Sequence, residues 1–205
     1  MKEMMKNAAI LFAITLVAGC LLGLVSEVTK EPIREQQIKA KNEACKNVFN
    51  DADHFDAMEG AEIAPEKLAQ LMETEGYDAS IDEVSEALDA SDNCLGYVIT
   101  VTDHEGYGGD IQFSVGVQKD GLVNGISLLN ISETAGLGMR AETDLKPQFE
   151  NKQVSKFTYT KTGSTSDSEI DAISGATITT NAVTNGVNAA LTVFETILQG
   201  GATNE

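Results

Sequence analysis

Residues 8–25 read AAILFAITLVAGCLLGLV, eighteen consecutive positions without a charge. As an α-helix at 1.5 Å per residue this stretch is roughly 27 Å long, close to the thickness of a bilayer's hydrocarbon core. Lys2 and Lys6 precede it, whereas Glu27, Lys30, Glu31 and Arg34 follow in mixed sign. The excess of basic residues on the short side predicts a cytoplasmic start at residues 1–7, a membrane span at 8–28 and the remaining chain outside the cytoplasm. A cleaved signal peptide has a shorter apolar run. Val17-Ala18-Gly19-Cys20 also resembles a lipoprotein cleavage box, but Leu21, Leu22, Leu24 and Val25 carry the apolar run past Cys20. An uncleaved anchor and a lipid on Cys20 both leave the domain on the same side of a bacterial cell membrane.

The rest of the 205 residues suffices for one soluble domain, with 42% hydrophobic residues for a core. Its charge narrows the partners. With 32 acidic against 14 basic residues the formal net charge is −18, which repels nucleic acid phosphates, and the chain has no Trp and 5% aromatics. No nucleic acid partner is expected. Cys20, Cys45 and Cys94 lack metal-site spacing, and His54 and His104 are isolated, so no metal site is expected either.

Along the chain, Ile33, Gln37, Ala40, Ala44 and Val48 fall at helical spacing and predict a polar stalk helix over residues 29–50, with Pro32 in its first turn. Residues 51–93 are acidic, with helices predicted at 65–74 and 81–90 around a break at Gly76. The pattern then changes. Strands are predicted at 95–102, at 110–118, where Ile111, Phe113, Val115 and Val117 share one face, and at 122–131 after the turn Lys119-Asp120-Gly121. A short helix interrupted by Pro147 follows at 141–152, then a strand at 156–161 and a polar loop at 162–168. The last helix, 179–199, places Val183, Val187, Ala190, Leu191, Phe194, Ile197 and Leu198 on one face and stops at Gly200-Gly201. The fold class expected is α+β, an N-terminal membrane helix followed by a domain of antiparallel strands and a C-terminal helix. Its divisions are 29–94 for a helical stalk and acidic helical region, 95–199 for the domain, and 200–205 for a tail.

Two segments carry chemistry. DAISGAT, residues 171–177, stands just before the last helix. The plain reading is a cap, since Ser and Thr oxygens accept from the free N–H groups of a helix start. The sharper reading is a phosphate site. A helix N-terminus offers N–H groups and partial positive charge, Gly175 and Ala176 leave room, and Thr177 brings a hydroxyl able to become an ester. Asp171 and Ser174 lead this segment, the acid as a recognition element. The second segment, SETAGLG at 132–138, ends a strand and places Gly136 and Gly138 where backbone can approach a ligand.

Asp171, Ser174, Gly175, Ala176 and Thr177 are similar to the D-x-x-[ST]-G-A-T flavinylation motif, and residues 106–138 resemble the other half of the same FMN-binding domain family. The family's usual phrase there is E-T-P-G-L-G; Ala135 replaces the Pro. A single N-terminal span, an external domain of this size and both motifs in this order resemble the G subunits of Rnf complexes, in detail over residues 95–198. The resemblance implies FMN bound covalently through a phosphoester on Thr177, installed from FAD by a flavin transferase. It also implies contacts from Asp171, Ser174, Gly175, Ala176, Glu133, Thr134, Gly136, Leu137 and Gly138. The partners implied are the other subunits of a membrane complex that couples ferredoxin and NAD+ electron transfer to Na+ or H+ translocation. In that role the chain is an electron carrier and not a catalyst alone. A stand-alone flavin carrier in another extracytoplasmic electron pathway is one alternative, and two further rivals stand beside it. One is the flavin-bearing C subunits of Na+-translocating NADH:quinone reductases, which are longer between anchor and flavin domain. The other is a non-redox, membrane-anchored binding module in which DAISGAT is a cap.

Overall fold

The structure, a computed structural model, describes residues 1–199. It separates into two units, Met1–Lys41 and Asn42–Glu205. The first belongs to a long helix, α1 (Lys2–Val48), whose best 18-residue window has a mean hydropathy of 2.6 and no buried residue, so it is long and apolar enough to cross a membrane. Thr15 and Thr29 sit in this helix without leaving free hydroxyls: Thr15 Oγ1 donates to the Leu11 carbonyl at 3.0 Å and Thr29 Oγ1 to that of Val25 at 2.9 Å. Pro32 lies inside the continuous helix, not in the first turn of a separate stalk.

The second unit begins with the last turn of α1, where Ala44, Cys45 and Val48 are buried. Five antiparallel strands follow in the spatial order of the chain: β1 (His54–Ala57), β2 (Ala79–Leu88), β3 (Cys94–Asp103), β4 (Ile111–Gln118) and β5 (Val123–Asn130). The helix α2 (Pro65–Glu75) interrupts them, starting at Pro65 and closing on Gly76 in the left-handed conformation (φ 77°), as the sequence predicts.

Each face of the sheet has its own cover. On one, Cys45, Val48, Phe49 and Ala52 pack against Ala87 and Val98. Two glycines make this approach possible, since a Cβ on Gly116 would lie 2.7 Å from Val48 Cβ and one on Gly96 2.7 Å from Phe49 Cζ. On the other face Ile111, Phe113, Val115 and Val117, all at 0% exposure, meet α3 (Thr177–Val193) through Val183, Val187 and Leu191. Each such side chain withdrawn from water contributes about 1.5–3 kcal/mol, so this face supplies most of the driving force for folding. Gly186 is the point of closest approach, because a Cβ there would stand 2.6 Å from Phe113 Cζ.

The helix predicted at 81–90 is a strand. The reason is visible in the pairing: β2 joins β3 from Ala79↔Asp103 to Leu88↔Cys94 with a register shift between Ile81 and Glu83. A second shift lies between Ala87 and Leu88. Because both faces of the sheet are covered, the neighbours Val84 and Ser85, like Ala87 and Leu88, are all buried, so the spacing imitates a helix. The acidic region 51–93 is therefore not all helical; β1 and β2 complete the sheet. The helix predicted at 141–152 resolves into a 3-10 turn (Gly138–Arg140), a π turn (Ala141–Leu145) and a second 3-10 turn (Lys146–Phe149). Two short strands, β6 (Thr158–Thr160) and β7 (Glu169–Asp171), pair in parallel. The last helix begins at Thr177, two residues earlier than predicted, and continues as a π turn over Phe194–Leu198. The Gly200-Gly201 stop and the 200–205 tail lie outside the described residues.

Candidate functional site

The DAISGAT segment is held by α3 itself. Thr180, fully buried, accepts the Ile173 N–H at 3.2 Å and donates to the Ala176 carbonyl at 2.9 Å, fixing the turn between them. Gly175 takes φ +80°, a conformation glycine adopts without cost. Further into the helix, Asn188 clamps the residue just before β6, the strand that pairs with the one entering the motif. It accepts the Phe157 N–H at 2.7 Å and donates to the Phe157 carbonyl at 2.9 Å.

The helix start has no side-chain cap. Its N-cap residue is Ala176, and neither Ser174 nor Thr177 closes it, so the cap reading of DAISGAT is not realised. Thr177 is the first helical residue, half-buried, and the N–H groups of the first turn stand beside it without a side-chain acceptor.

The SETAGLG segment meets this helix end from the other side. Gly136 takes φ +77°, and Leu137 reaches over so that a Cβ on Gly175 would be 3.1 Å from Leu137 Cδ2. Gly138 is buried in the seam. A Cβ there would stand 2.6 Å from Thr179 Oγ1 and 2.8 Å from Glu133 Oε2. Glu133, 9% exposed, staples a third segment: its Oε1 accepts the N–H of Tyr107 at 2.8 Å and of Gly108 at 3.3 Å.

Together these pieces enclose a cleft of about 520 Å3, within the usual size range of small-ligand sites. One wall is Glu133, Thr134, Leu137 and Gly138; the other is Gly175, Ala176, Thr177, Ile178 and Thr179; Tyr107 stands at the side. Three oxygens that line it, Thr177 Oγ1, Thr179 Oγ1 and Glu133 Oε2, have no hydrogen-bond partner among the described residues. Among the described residues, none of the lining side chains is Lys or Arg. Exposed Tyr107, Leu137 and Ile178 give the mouth an apolar surface.

Of the predicted site residues, Glu133, Thr134, Leu137, Gly138, Gly175, Ala176 and Thr177 line the cleft. Gly136 shapes the loop behind Leu137, and Ser174 is exposed beside it. Asp171 points elsewhere: its carboxylate accepts from Ser164 N–H at 2.5 Å and from Ser164 Oγ at 3.3 Å, and its own N–H donates to Gln148 Oε1 at 2.7 Å. Sequence reasoning passes over Tyr107, Ile178 and Thr179. Tyr107 lies in a glycine-rich turn and the other two in a helical pattern, so only the meeting of three separate segments marks them.

Beneath the Tyr107 loop lies an unusual acid. Asp103, at the end of β3, has 0% exposure; Oδ1 accepts the Glu105 N–H at 2.9 Å and Oδ2 has no partner among the described residues. Burial pushes its carboxyl up to about 7. The neighbouring His104 is raised above its ordinary value by its hydrogen bond to Asp110 at 3.0 Å, and its other ring nitrogen meets Ser80 Oγ at 2.9 Å.

Comparison with known proteins gives this geometry a context. The FMN-binding domain family matches residues 106–192, and the RnfG N-terminal region matches residues 1–48. The G subunit of the Na+-translocating ferredoxin:NAD+ oxidoreductase complex of Acetobacterium woodii is 32% identical over 200 residues, covering 96% of this chain and 94% of its own. The chain belongs to the RnfG family. The proton-translocating counterpart in Clostridium ljungdahlii is 29% identical over 95% of this chain and 97% of its own. The solved structure of NqrC from Shewanella oneidensis shares the fold at a TM-score of 0.50 and 19% identity, over 60% of this chain and 61% of that one.

Proposed function

We propose that this RnfG-family protein carries FMN as a phosphoester on Thr177 and passes electrons within a membrane complex that couples ferredoxin and NAD+ chemistry to Na+ or H+ transport. One observation carries the reading: the hydroxyl of Thr177 is the first side chain of an uncapped helix and opens, unpartnered, into the cleft formed with the 133–138 loop.

The residues fit the group. The N–H groups of the first turn of α3 suit a phosphate, and the absence of a capping side chain leaves them available. Gly138 and Gly175 bring backbone close, while Leu137, Ile178 and Tyr107 offer apolar surface to a ring system. Bound there, FMN supplies one- and two-electron chemistry; the chain supplies placement and electrostatics. Attachment exchanges one phosphorus–oxygen bond for another. Thr177 Oγ bonds to the FMN phosphorus, the pyrophosphate bridge of FAD breaks, AMP leaves, and the hydroxyl proton passes to a base of the transferase. Asp171, turned toward the 164–171 loop, serves that transferase as a recognition element. The helix α1 anchors the protein as a single span with Lys2 and Lys6 in the cytoplasm and the domain outside.

The test is in-gel ultraviolet fluorescence of the denatured full chain co-expressed with an active flavin transferase, followed by peptide mass mapping. The wild type gives a fluorescent band with FMN on Thr177, and Thr177→Ala gives none while the domain melts as before. A fluorescent Thr177→Ala band overturns the assignment.

A further inference from the structure

The oxygens left over in the cleft do not suit a phosphate alone. Glu133 spends one oxygen on the Tyr107 and Gly108 N–H groups, at 2.8 and 3.3 Å, and its other oxygen, beside Gly138 on the cleft wall, has no partner among the described residues. Thr179, 1% exposed, has a free hydroxyl there, although the next buried threonines of the same helix, Thr180 and Thr184, each donate to the carbonyl four residues back at 2.9 and 2.7 Å. Gly138 separates the two, since a Cβ on it would lie 2.6 Å from Thr179 Oγ1 and 2.8 Å from Glu133 Oε2. Any larger residue there would fill the gap between these oxygens. An acceptor on the cleft wall without a protein donor gains affinity from a group that completes it.

We propose that Glu133 Oε2 and Thr179 Oγ1 bind the free hydroxyls of the ligand's ribityl chain and thereby select a sugar-alcohol phosphate over a plain phosphoester. This rests on the FMN reading of the cleft. A carboxylate oxygen accepts and cannot donate, so its complement is a hydroxyl or N–H, and it repels phosphate. That repulsion gives the cleft a polarity. Phosphate goes to the α3 N-terminus at Thr177, and the hydroxylated chain runs past Gly138 toward Glu133. Thr179, able to donate or accept, completes a pair of partners for adjacent hydroxyls. The same acceptor could take the imide N–H of the flavin ring, so the test separates the two donors.

The experiment uses the unmodified full chain, produced without a transferase and held in detergent, titrated to millimolar concentration and followed by flavin fluorescence. The probes are FMN, an analogue whose chain lacks the free hydroxyls, and N3-methyl-FMN. Wild type binds FMN about tenfold or more tighter than the dehydroxy analogue, as expected for a hydrogen bond to a charged group, and binds N3-methyl-FMN like FMN. In Glu133→Gln the amide oxygen still accepts from Tyr107 and Gly108, but an NH2 group replaces the cleft-facing acceptor, and the preference falls to about threefold or less. Thr179→Val, which keeps the shape, lowers it as well and serves if Glu133→Gln does not fold. A preference that survives both substitutions overturns the proposal. So does a loss confined to N3-methyl-FMN, or a failure of FMN to saturate the chain by millimolar concentration. The FMN reading fails separately: a dark wild-type band beside an active transferase removes it, whatever these titrations give.

Discussion

Asp103→Asn should make this protein more stable at alkaline pH. The wild-type carboxyl has 0% exposure, one accepted hydrogen bond and one oxygen without a partner, and its pKa moves from 3.8 to about 7. Folding therefore favours the neutral acid. Below about pH 4 the group is protonated in both folded and unfolded chains and costs nothing extra. As pH rises from 4 to 7 the unfolded chain releases the proton first, so stability falls across that window and levels off above it. At 1.36 kcal/mol per pH unit the full loss is about 4 kcal/mol, and relaxation around the loop reduces it to about 2–4 kcal/mol. Asparagine keeps the acceptor for the Glu105 N–H and, like the neutral acid, leaves one polar group unpaired, so it imitates the protonated state. The assay is thermal melting followed by circular dichroism, on detergent-held full chain at pH 4.5 and 8.5. The two proteins should melt within about 4 °C of each other at the lower pH and differ by about 5–15 °C at the higher, with the variant above. If the variant melts at or below wild type at pH 8.5, Asp103 is ionised at little cost and the argument from burial fails.

Other expectations follow from single contacts. Gly186→Ala should destabilise by about 1–3 kcal/mol despite the better helix propensity of alanine, because its Cβ meets the buried Phe113 ring; a denaturant midpoint that rises instead refutes the fit. Asn188→Ala removes both partners of the Phe157 backbone and should cost about 2–4 kcal/mol by chemical denaturation. It should also lower flavin incorporation, since the strand it clamps pairs with the one entering the motif. Asp110→Asn should return His104 toward its ordinary value, read by NMR titration of the ring protons. In wild type the stability that His104 contributes is present at low pH and lost as pH rises through its raised folded value, so the variant's stability should vary less near neutrality.

The elements legible in the sequence are those whose own residues decide them. The uninterrupted apolar run makes α1, the alternation of Ile111, Phe113, Val115 and Val117 makes β4, and the apolar stripe from Val183 to Phe194 makes α3. Partner strands decide the rest. β2 carries Ile81, Val84 and Leu88 at helical intervals, and only the bulged register with β3 turns them into a strand. β6 and β7 are three residues each and pair in parallel across a polar loop, which local pattern does not signal. The site divides in the same way. Thr177, Gly175 and Gly138 stand out because their types match a chemistry in place. Tyr107 and Thr179 acquire meaning only when Glu133 draws the 104–109 turn and the helix end together. Asp171 is legible as part of a motif, but its carboxylate accepts from Ser164 and does not line the cleft.

Among the described residues, no Lys or Arg lines the cleft. An anion held there by a helix end alone gains only about 0.3–1 kcal/mol from the dipole. Under the proposed ester, the fraction of protein molecules carrying flavin is therefore not set by the surrounding nucleotide concentration. Each copy is loaded once or not at all, and dilution or washing does not empty it. Occupancy becomes a record of how transferase supply kept pace with synthesis of the polypeptide, erased only when the polypeptide itself is degraded.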